Sequence, residues 1–120
     1  MMDREQVRQY LHTKPEAIES FPFGEDAHVF KVKNKMFALL ALRNDLLMIN
    51  LKCEPSEGIA LCDMFAAITP GYHMDKKHWI SVYFDGSVPE GEVKRLIDNS
   101  FNRVVANMPK KDQQSILDHF

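Results

Sequence analysis

The chain has 120 residues, of which 45% are hydrophobic and 27% charged, and this length and composition fit one globular domain and disfavour disordered, collagen-like and disulfide-scaffold proteins. Its formal net charge of -2 gives the whole molecule no long-range attraction for nucleic acid or an anionic membrane, so any such binding must be local. We expect a cytoplasmic protein without membrane contact, because no apolar run approaches the roughly 20 residues of a spanning helix and the charged N-terminus has no signal-peptide core.

The N-terminal segment predicts a short amphipathic helix followed by turns. Asp3 can cap the helix, with Gln6 in the capping-box position. Apolar side chains then recur at helical spacing, at Val7, Tyr10 and Leu11. Residues 13–16, Thr-Lys-Pro-Glu, repeat the start signal and predict one more helical turn. The proline and glycine within residues 21–24 predict that the chain changes direction there.

Residues 28–52 predict a three-stranded antiparallel meander, because their apolar side chains recur with a period of two. Turn residues at 33–35 and 43–45 separate the three runs. The run from Met36 to Leu42 is apolar on both sides and is predicted to be the central strand. The meander is also locally basic, with five basic side chains and one acidic. The segments around it are acidic, so the sheet and its helices differ in the sign of their charge.

A helix and a further strand are predicted after the meander. Pro55 begins the helix, which is expected to continue until the proline and glycine at residues 70–71. Its predicted buried stripe consists of Ile59, Cys62, Phe65 and Ala66. Residues 79–84 alternate between apolar and polar side chains and predict a strand, which the turn pair at residues 85–86 ends.

Two helices are predicted at the C-terminal end. Residues 87–90, Ser-Val-Pro-Glu, form a capping box, and apolar residues follow at helical spacing over about four turns. They are Val93, Leu96, Ile97, Phe101, Val104, Val105 and Met108, with Ser100 among them. Pro109 begins a last short helix, whose apolar contacts are predicted to be Ile116, Leu117 and Phe120. We therefore predict a single α+β domain over residues 1–120, an antiparallel sheet with N-terminal, middle and C-terminal helices packed on it.

Residues 73–78, His-Met-Asp-Lys-Lys-His, are the densest polar cluster, and His73, Asp75 and His78 could supply metal ligands. The two histidines do not have the i, i+4 spacing of helical metal sites, and the two adjacent lysines repel a cation. We therefore expect no metal and no cofactor. The ring of His78 is expected to tie down the loop before the strand, and Trp79 to pack into the core.

No pattern in the chain is typical of an enzyme. Cys53 and Cys62 are expected to be free thiols. Cys62 lies on the apolar stripe of its helix, where a thiol is usually inert, and no base accompanies Cys53. The serines lack nucleophile-elbow glycines, and the five glycines form no phosphate-binding loop. We predict that the protein is not an enzyme.

The lysines on and beside the meander have two interpretations. In one, they solvate the edge of a sheet and discourage edge-to-edge pairing. In the other, they form a basic ribbon that contacts phosphate groups, and each neutralised phosphate adds a salt-dependent increment to binding.

Seven motifs along the chain resemble those of the MmcQ/YjbR family of small bacterial proteins. They are Phe-Pro-Phe-Gly at 21–24, Val-Phe-Lys-Val at 29–32, Lys-Met-Phe-Ala-Leu at 35–39, Asn-Leu-Lys-Cys at 50–53, Pro-Gly-Tyr-His-Met at 70–74, Lys-Lys-His-Trp at 76–79 and Asp-Gly-Ser-Val-Pro at 85–89. Their order and spacing extend over nearly the whole chain.

The resemblance implies a YjbR/CyaY-like sandwich that binds double-stranded DNA weakly or non-specifically through a basic face, in a double-wing arrangement of β-hairpins about a helix. The contact residues that it implies are Lys31, Lys33, Lys35, Lys52, Lys76, Lys77 and His78. Where the family usually has asparagine this chain has Asp75, whose carboxylate offsets part of the charge of the neighbouring lysines. The alternative is a protein-interaction or chaperone-like module with no nucleic-acid role, because secretion chaperones use a similar sheet to hold partner segments.

Overall fold

The computed structural model describes residues 1–118, which form four helices and six strands. In chain order the elements are α1 (Arg4–His12), β1 (Ile18–Ser20), β2 (His28–Val32), β3 (Lys35–Arg43), β4 (Leu46–Lys52), α2 (Pro55–Met64), β5 (Ile68–Pro70), β6 (Trp79–Tyr83), α3 (Glu90–Ala106) and α4 (Lys110–Leu117). Over this part of the chain, no helix has both the length and the apolar character needed to cross a membrane.

All six strands join one sheet in the order β1-β2-β3-β4-β6-β5, and every neighbouring pair is antiparallel. The predicted α+β class and the predicted meander, β2 to β4, are confirmed. Both residues of each hairpin turn, Lys33 with Asn34 and Asn44 with Asp45, have positive φ. This conformation matches the twist of an antiparallel hairpin.

Helices cover one face of the sheet. The long helix α3 packs across the central strands β3 and β4, and α2 packs against β5 and β6. The largest side chains that are almost completely buried in this core include Leu11, Phe30, Phe37, Leu40, Ile49, Leu51, Ile97 and Ile116. The core therefore extends from α1 to α4.

A β-bulge in β3 helps to fix α3 against the sheet. The register between β2 and β3 shifts between Phe30 and Lys31, which leaves Phe37 as an extra residue. The carbonyl of Phe37 accepts a hydrogen bond of 2.6 Å from the hydroxyl of Ser100, and that hydroxyl accepts one of 2.9 Å from the backbone N–H of Lys52. Since Ser100 belongs to α3, one hydroxyl joins the helix to both central strands.

The beginning of the chain follows the prediction at α1 and at the turn of residues 21–24, but not between them. Asp3 and Gln6 form the predicted capping box, with a hydrogen bond of 2.9 Å in each direction. The predicted helical turn at residues 13–16 is replaced by non-helical turns, because Glu16 has a φ of 60°. The chain then forms β1, which the sequence does not predict because three residues carry no measurable periodicity.

The prediction for α2 is wrong at its end and on its buried face. The helix ends before Phe65, whose backbone is extended, and residues 68–70 form β5 against β6. The buried helical residues are Gly58 and Leu61. The predicted stripe of Ile59, Cys62, Phe65 and Ala66 is half-buried or exposed. Gly58 lets the helix approach β6 closely, since a Cβ atom there would lie 3.4 Å from Cγ2 of Ile80.

The two C-terminal helices are confirmed, but their details differ from the prediction. The buried side of α3 consists of Val93, Leu96, Ile97, Ser100, Phe101 and Val104. The predicted capping box does not form at its start, because the hydroxyl of Ser87 donates instead to the carboxylate of Asp85, at 2.6 Å. In α4, Ile116 is buried and Leu117 is exposed. Phe120 lies outside the described residues.

Candidate functional site

Basic side chains surround Trp79 at the end of the sheet where β3 begins, β4 ends and β6 begins. Lys35 is the first residue of β3, and Lys52 is the last residue of β4. Lys52 lies directly opposite Trp79, the first residue of β6. Because these three strands are neighbours in the sheet, the three side chains begin from adjacent parts of the backbone.

Trp79 lines three clefts at this end of the sheet, of about 520, 210 and 260 Å³. It is half-buried and lies outside the hydrophobic core, so the prediction that it packs into the core is wrong. The basic and imidazole side chains that line these clefts are Lys33, Lys35, Lys52, Lys76, Lys77, His78 and Arg103. We call the surface formed by the three clefts the basic end.

The basic end brings together six of the seven residues predicted as contacts, namely Lys33, Lys35, Lys52, Lys76, Lys77 and His78. The seventh, Lys31, lies opposite Ile18 and Met36 and lines none of the three clefts. The edges of the sheet are β1 and β5. The solvation interpretation requires lysines on an edge strand. The lysines of β2, β3 and β4 lie on inner strands instead.

Positive charge exceeds negative charge at the basic end. Six lysine and arginine side chains line its clefts, together with the three carboxylates of Asp63, Asp75 and Asp112. Two more carboxylates, those of Glu54 and Glu57, line an adjoining groove with Lys52 and Arg103. Two of the lysines have partners: Nζ of Lys33 lies 3.1 Å from the carboxylate of Glu16, and Nζ of Lys76 donates to a backbone carbonyl. The other four cations, Lys35, Lys52, Lys77 and Arg103, make no ion pair within residues 1–118.

Arg103 belongs to the basic end, although no pattern in the sequence indicates this. It lies in the last turn of α3, and its Nε atom is buried without a hydrogen-bond partner among the described residues. The pKa of Glu54 is lowered mainly by hydrogen bonds from Ser56 and Glu57, and the charge of Arg103 lowers it further. A buried N–H without a hydrogen-bond partner costs free energy.

Asp75 organises the turn that precedes β6. Its Oδ1 atom accepts a hydrogen bond of 2.9 Å from the backbone N–H of Lys77. Its carbonyl accepts hydrogen bonds from the backbone N–H groups of His78 and Trp79, at 3.3 and 3.0 Å. The same carboxylate lines a cleft with Lys52, where it offsets part of the positive charge.

The structure separates the three residues considered as metal ligands. Asp75 and His78 line the basic end, whereas His73 lines a different groove and has its ring 4.0 Å from that of Tyr72. Within residues 1–118, no group of three His, Cys, Asp or Glu side chains is arranged to hold a metal ion. Within residues 1–118, His78 makes its hydrogen bonds through its backbone and not through its ring. Its carbonyl accepts one of 2.8 Å from the N–H of Cys53.

Both cysteines are free thiols with raised pKa values. Burial raises the pKa of Cys53 to about 11, and the nearby charge of Glu57 raises it further. Burial also raises the pKa of the half-buried Cys62. Both thiols are therefore protonated near neutral pH and are poor nucleophiles.

Comparison with known protein sequences assigns a family. The family model described as YjbR matches residues 12–103. The uncharacterized protein YbdF of Escherichia coli O157:H7 is 40% identical over 96 residues, which are 80% of this chain and 79% of that protein. The uncharacterized protein YjbR of Escherichia coli K12 is 28% identical over 112 residues, which are 93% of this chain and 95% of that protein.

Solved structures agree with the sequence comparison. The crystal structure of a Deinococcus radiodurans protein with the domain DUF419 matches with a TM-score of 0.90 and 33% identity, over 97% of this chain and 88% of that chain. A crystal structure of a Pseudomonas syringae protein matches with a TM-score of 0.74 and 30% identity, over 84% of this chain and 97% of that chain. The resemblance seen in the motifs is thus confirmed, and the chain belongs to the YjbR family.

Proposed function

We propose that this protein is a non-enzymatic nucleic-acid-binding protein whose basic end contacts the phosphate groups of double-stranded DNA. The observation that carries the proposal is the convergence of unpaired cations from separate segments. Lys35, Lys52 and Arg103 come from β3, β4 and α3, and they meet around Trp79 without an ion pair among the described residues. Cations that lack a carboxylate partner are free to neutralise phosphates.

Neighbouring features support contact with a nucleic-acid backbone. Lys35 begins β3 directly after the β2–β3 turn and lines the same cleft as Lys33, whose ammonium group is held by Glu16 and Ser115. Lys110 and Lys111 follow directly after Pro109, which lines the same cleft. These lysines extend the basic end toward α4.

The charge balance predicts weak and salt-sensitive binding. The whole chain has a net charge of -2, so the molecule is not attracted to DNA from a distance. Three carboxylates lie within the clefts and reduce the local potential. Association therefore depends on a few short-range phosphate contacts, which salt screens effectively.

Fluorescence anisotropy with a labelled DNA duplex tests the proposal. Binding is expected to weaken steeply between about 50 and 200 mM salt, because each phosphate contact releases counterions. The double variant Lys35→Ala/Lys52→Ala is expected to lose about tenfold or more in affinity and to lower the slope of log affinity against log salt by about two. The matched control, Lys31→Ala/Lys94→Ala, makes the same change in net charge away from the basic end.

Three outcomes would reject the proposal. The first is duplex binding that does not depend on salt, and the second is no binding at about 50 mM salt. The third is an equal loss of affinity in the two double variants, which would indicate that only net charge matters.

A protein-interaction module is the second candidate, and the exposed apolar residues near one edge of the sheet favour it. Ile18, on the edge strand β1, is 66% exposed, and Phe21 just after it is 46% exposed. A short edge strand with exposed apolar side chains beside it can accept a partner strand. Co-purification of a partner that survives high salt and is lost in Ile18→Lys would support this function instead.

A further inference from the structure

The face of the sheet away from α3 carries an apolar groove of about 400 Å³. Side chains alternate along β3, so that Leu40 lies in the core while Leu39 and Ala41 lie on the other face. Across the strand pair, Leu39 lies opposite Asn50 and Ala41 lies opposite Met48. These four side chains form the floor of the groove.

Two loop segments and further residues of β3, namely Met36, Leu42 and Arg43, supply the rest of the lining. The loop segments contribute Phe23 and Ala27 from the segment before β2, and Tyr72, His73 and Met74 from the segment before β6. The volume and the predominantly apolar lining are those of a site for one small molecule. Methionine and aromatic side chains make favourable contacts with an aromatic ring.

One cation, Arg43, lies at this groove between the rings of two tyrosines. Cζ of Arg43 lies 3.7 Å from the ring centroid of Tyr72 and 5.9 Å from that of Tyr83, and Nη1 of Arg43 donates to the hydroxyl of Tyr83. Arg43 makes no ion pair with any residue from 1 to 118. A guanidinium group has five N–H donors, and two tyrosines leave some of them for a ligand.

Hydrogen bonds to the sheet hold Tyr72 in place. Nδ2 of Asn50 donates to the carbonyl of Tyr72 at 3.1 Å, and the hydroxyl of Ser81 accepts from its N–H at 2.8 Å. The hydroxyl of Ser81 in turn donates to Oδ1 of Asn50. Both polar backbone groups of Tyr72 are therefore fixed to β4 and β6. The backbone that carries the ring stacked on Arg43 is thus fixed before any ligand binds, which lowers the cost of binding.

We propose that this groove binds a small aromatic carboxylate, with the carboxylate on Arg43 and the ring over Leu39, Ala41 and Met48. A planar guanidinium group pairs with a carboxylate through two parallel hydrogen bonds. Among the described residues that line the groove, Arg43 is the one lysine or arginine side chain, so the groove suits a ligand with a single negative charge. The inference does not depend on nucleic-acid binding, which uses the other end of β3.

NMR titration of the ¹⁵N-labelled protein with 2-naphthoate tests the proposal, with uncharged 2-naphthalenemethanol as the matched ligand. We expect saturable shifts of the amides of the groove residues, and affinity for the carboxylate about tenfold higher than for the alcohol. Arg43→Met is expected to lower the affinity for 2-naphthoate about tenfold and to leave that for the alcohol unchanged. Lys52→Met makes the same charge change at the basic end and is expected to bind 2-naphthoate as the wild type does.

A second variant keeps the test decisive if Arg43→Met does not fold. Ala41→Phe retains Arg43 but fills the floor of the groove, and it is expected to abolish the shifts. Equal affinity for the acid and the alcohol, shifts outside the groove, or unchanged binding in Ala41→Phe would each overturn the proposal. So would a dimer of the wild-type chain that Ala41→Phe dissociates in sedimentation experiments, because the groove would then hold a second copy.

Discussion

Two charged clusters on different strands of the sheet differ in how their charges are satisfied. On β1, the carboxylate of Glu19 lies 2.6 Å from Arg8, 2.7 Å from His28 and 3.1 Å from His12. At the basic end, four cations have no ion-pair partner among residues 1–118. One strand, β2, separates β1 from β3, where the basic end begins, and three strands separate β1 from β6.

The difference indicates separate roles for the two clusters. The Glu19 carboxylate is almost buried, with 10% of its side chain exposed, and its partners compensate the loss of hydration. Such a cluster stabilises the fold, and removing one member leaves buried charge without a partner. The cations of the basic end are partly exposed and repel one another, so they contribute little to stability and are available to an anionic partner. Three predictions test this contrast.

The largest effect is expected from Gly71→Ala, which crowds Trp79 at the basic end and Met74 beside it. A Cβ atom at Gly71 would lie 2.7 Å from Cβ of Trp79 and 3.0 Å from Cβ of Met74. Because backbone-proximal atoms cannot move aside easily, we expect the free energy of unfolding to fall by about 3 kcal/mol. Urea denaturation measures this change, and Trp79 fluorescence reports whether the indole has moved.

Gly91→Ala is the matched control for that prediction. It lies in the first turn of α3, and nothing is within 4 Å of an added Cβ atom. Alanine favours a helix over glycine by up to about 1 kcal/mol, so this variant should be slightly more stable than the wild type. Equal destabilisation of both variants would contradict the steric explanation.

The next-largest effect is expected in the free energy of unfolding at acid pH. It tests the cluster that Glu19 forms with Arg8, His12 and His28. Hydrogen bonds from Arg8, and then from His28 and His12, lower the pKa of Glu19 from its ordinary value of 4.5 to about 2, although burial opposes this. A carboxylate whose pKa is lower in the folded state stabilises the fold fully above pH 4.5 and loses this contribution as the pH falls toward 2. The contribution is about 2 kcal/mol after allowance for solvent screening.

Glu19→Gln isolates this contribution from those of the other carboxylates. The free energy of unfolding of the variant is expected to lie about 2 kcal/mol below that of the wild type near neutral pH. The difference should shrink toward zero as the pH approaches the folded pKa of Glu19. Thermal unfolding at a series of pH values measures this difference in free energy. A difference that does not change with pH would show that Glu19 stabilises the fold through its shape rather than its charge.

The sequence predicts the long, periodic elements of this fold well. Alternation along 28–52 identifies β2, β3 and β4, and helical spacing identifies α3, because many residues contribute to each pattern. It misses β1 and β5, which have three residues each and form only because β2 and β6 offer them a pairing partner. The buried face of α2 is also missed, since the close approach at Gly58 depends on where β6 lies.

The candidate sites are likewise predictable from the sequence only in part. Most of the basic end is predictable, because Lys33, Lys35 and Lys52 belong to one meander and strand pairing brings them together. Arg103 is not predictable, since helical periodicity shows which side of α3 is buried but not which end of the sheet its last turn reaches. The groove at Arg43 is also not predictable from the sequence, because part of its lining comes from the separate loops before β2 and β6.

The smallest effect on stability is expected from Lys35→Ala/Lys52→Ala. Neither lysine makes an ion pair within residues 1–118, so the free energy of unfolding should change by less than about 0.5 kcal/mol. At low salt the change should be toward greater stability, because removing neighbouring like charges relieves repulsion, and added salt should erase it. Urea denaturation at two salt concentrations measures both effects. A loss above about 1 kcal/mol would mean that these lysines stabilise the fold through their aliphatic stems, and the contrast with Glu19 would then fail.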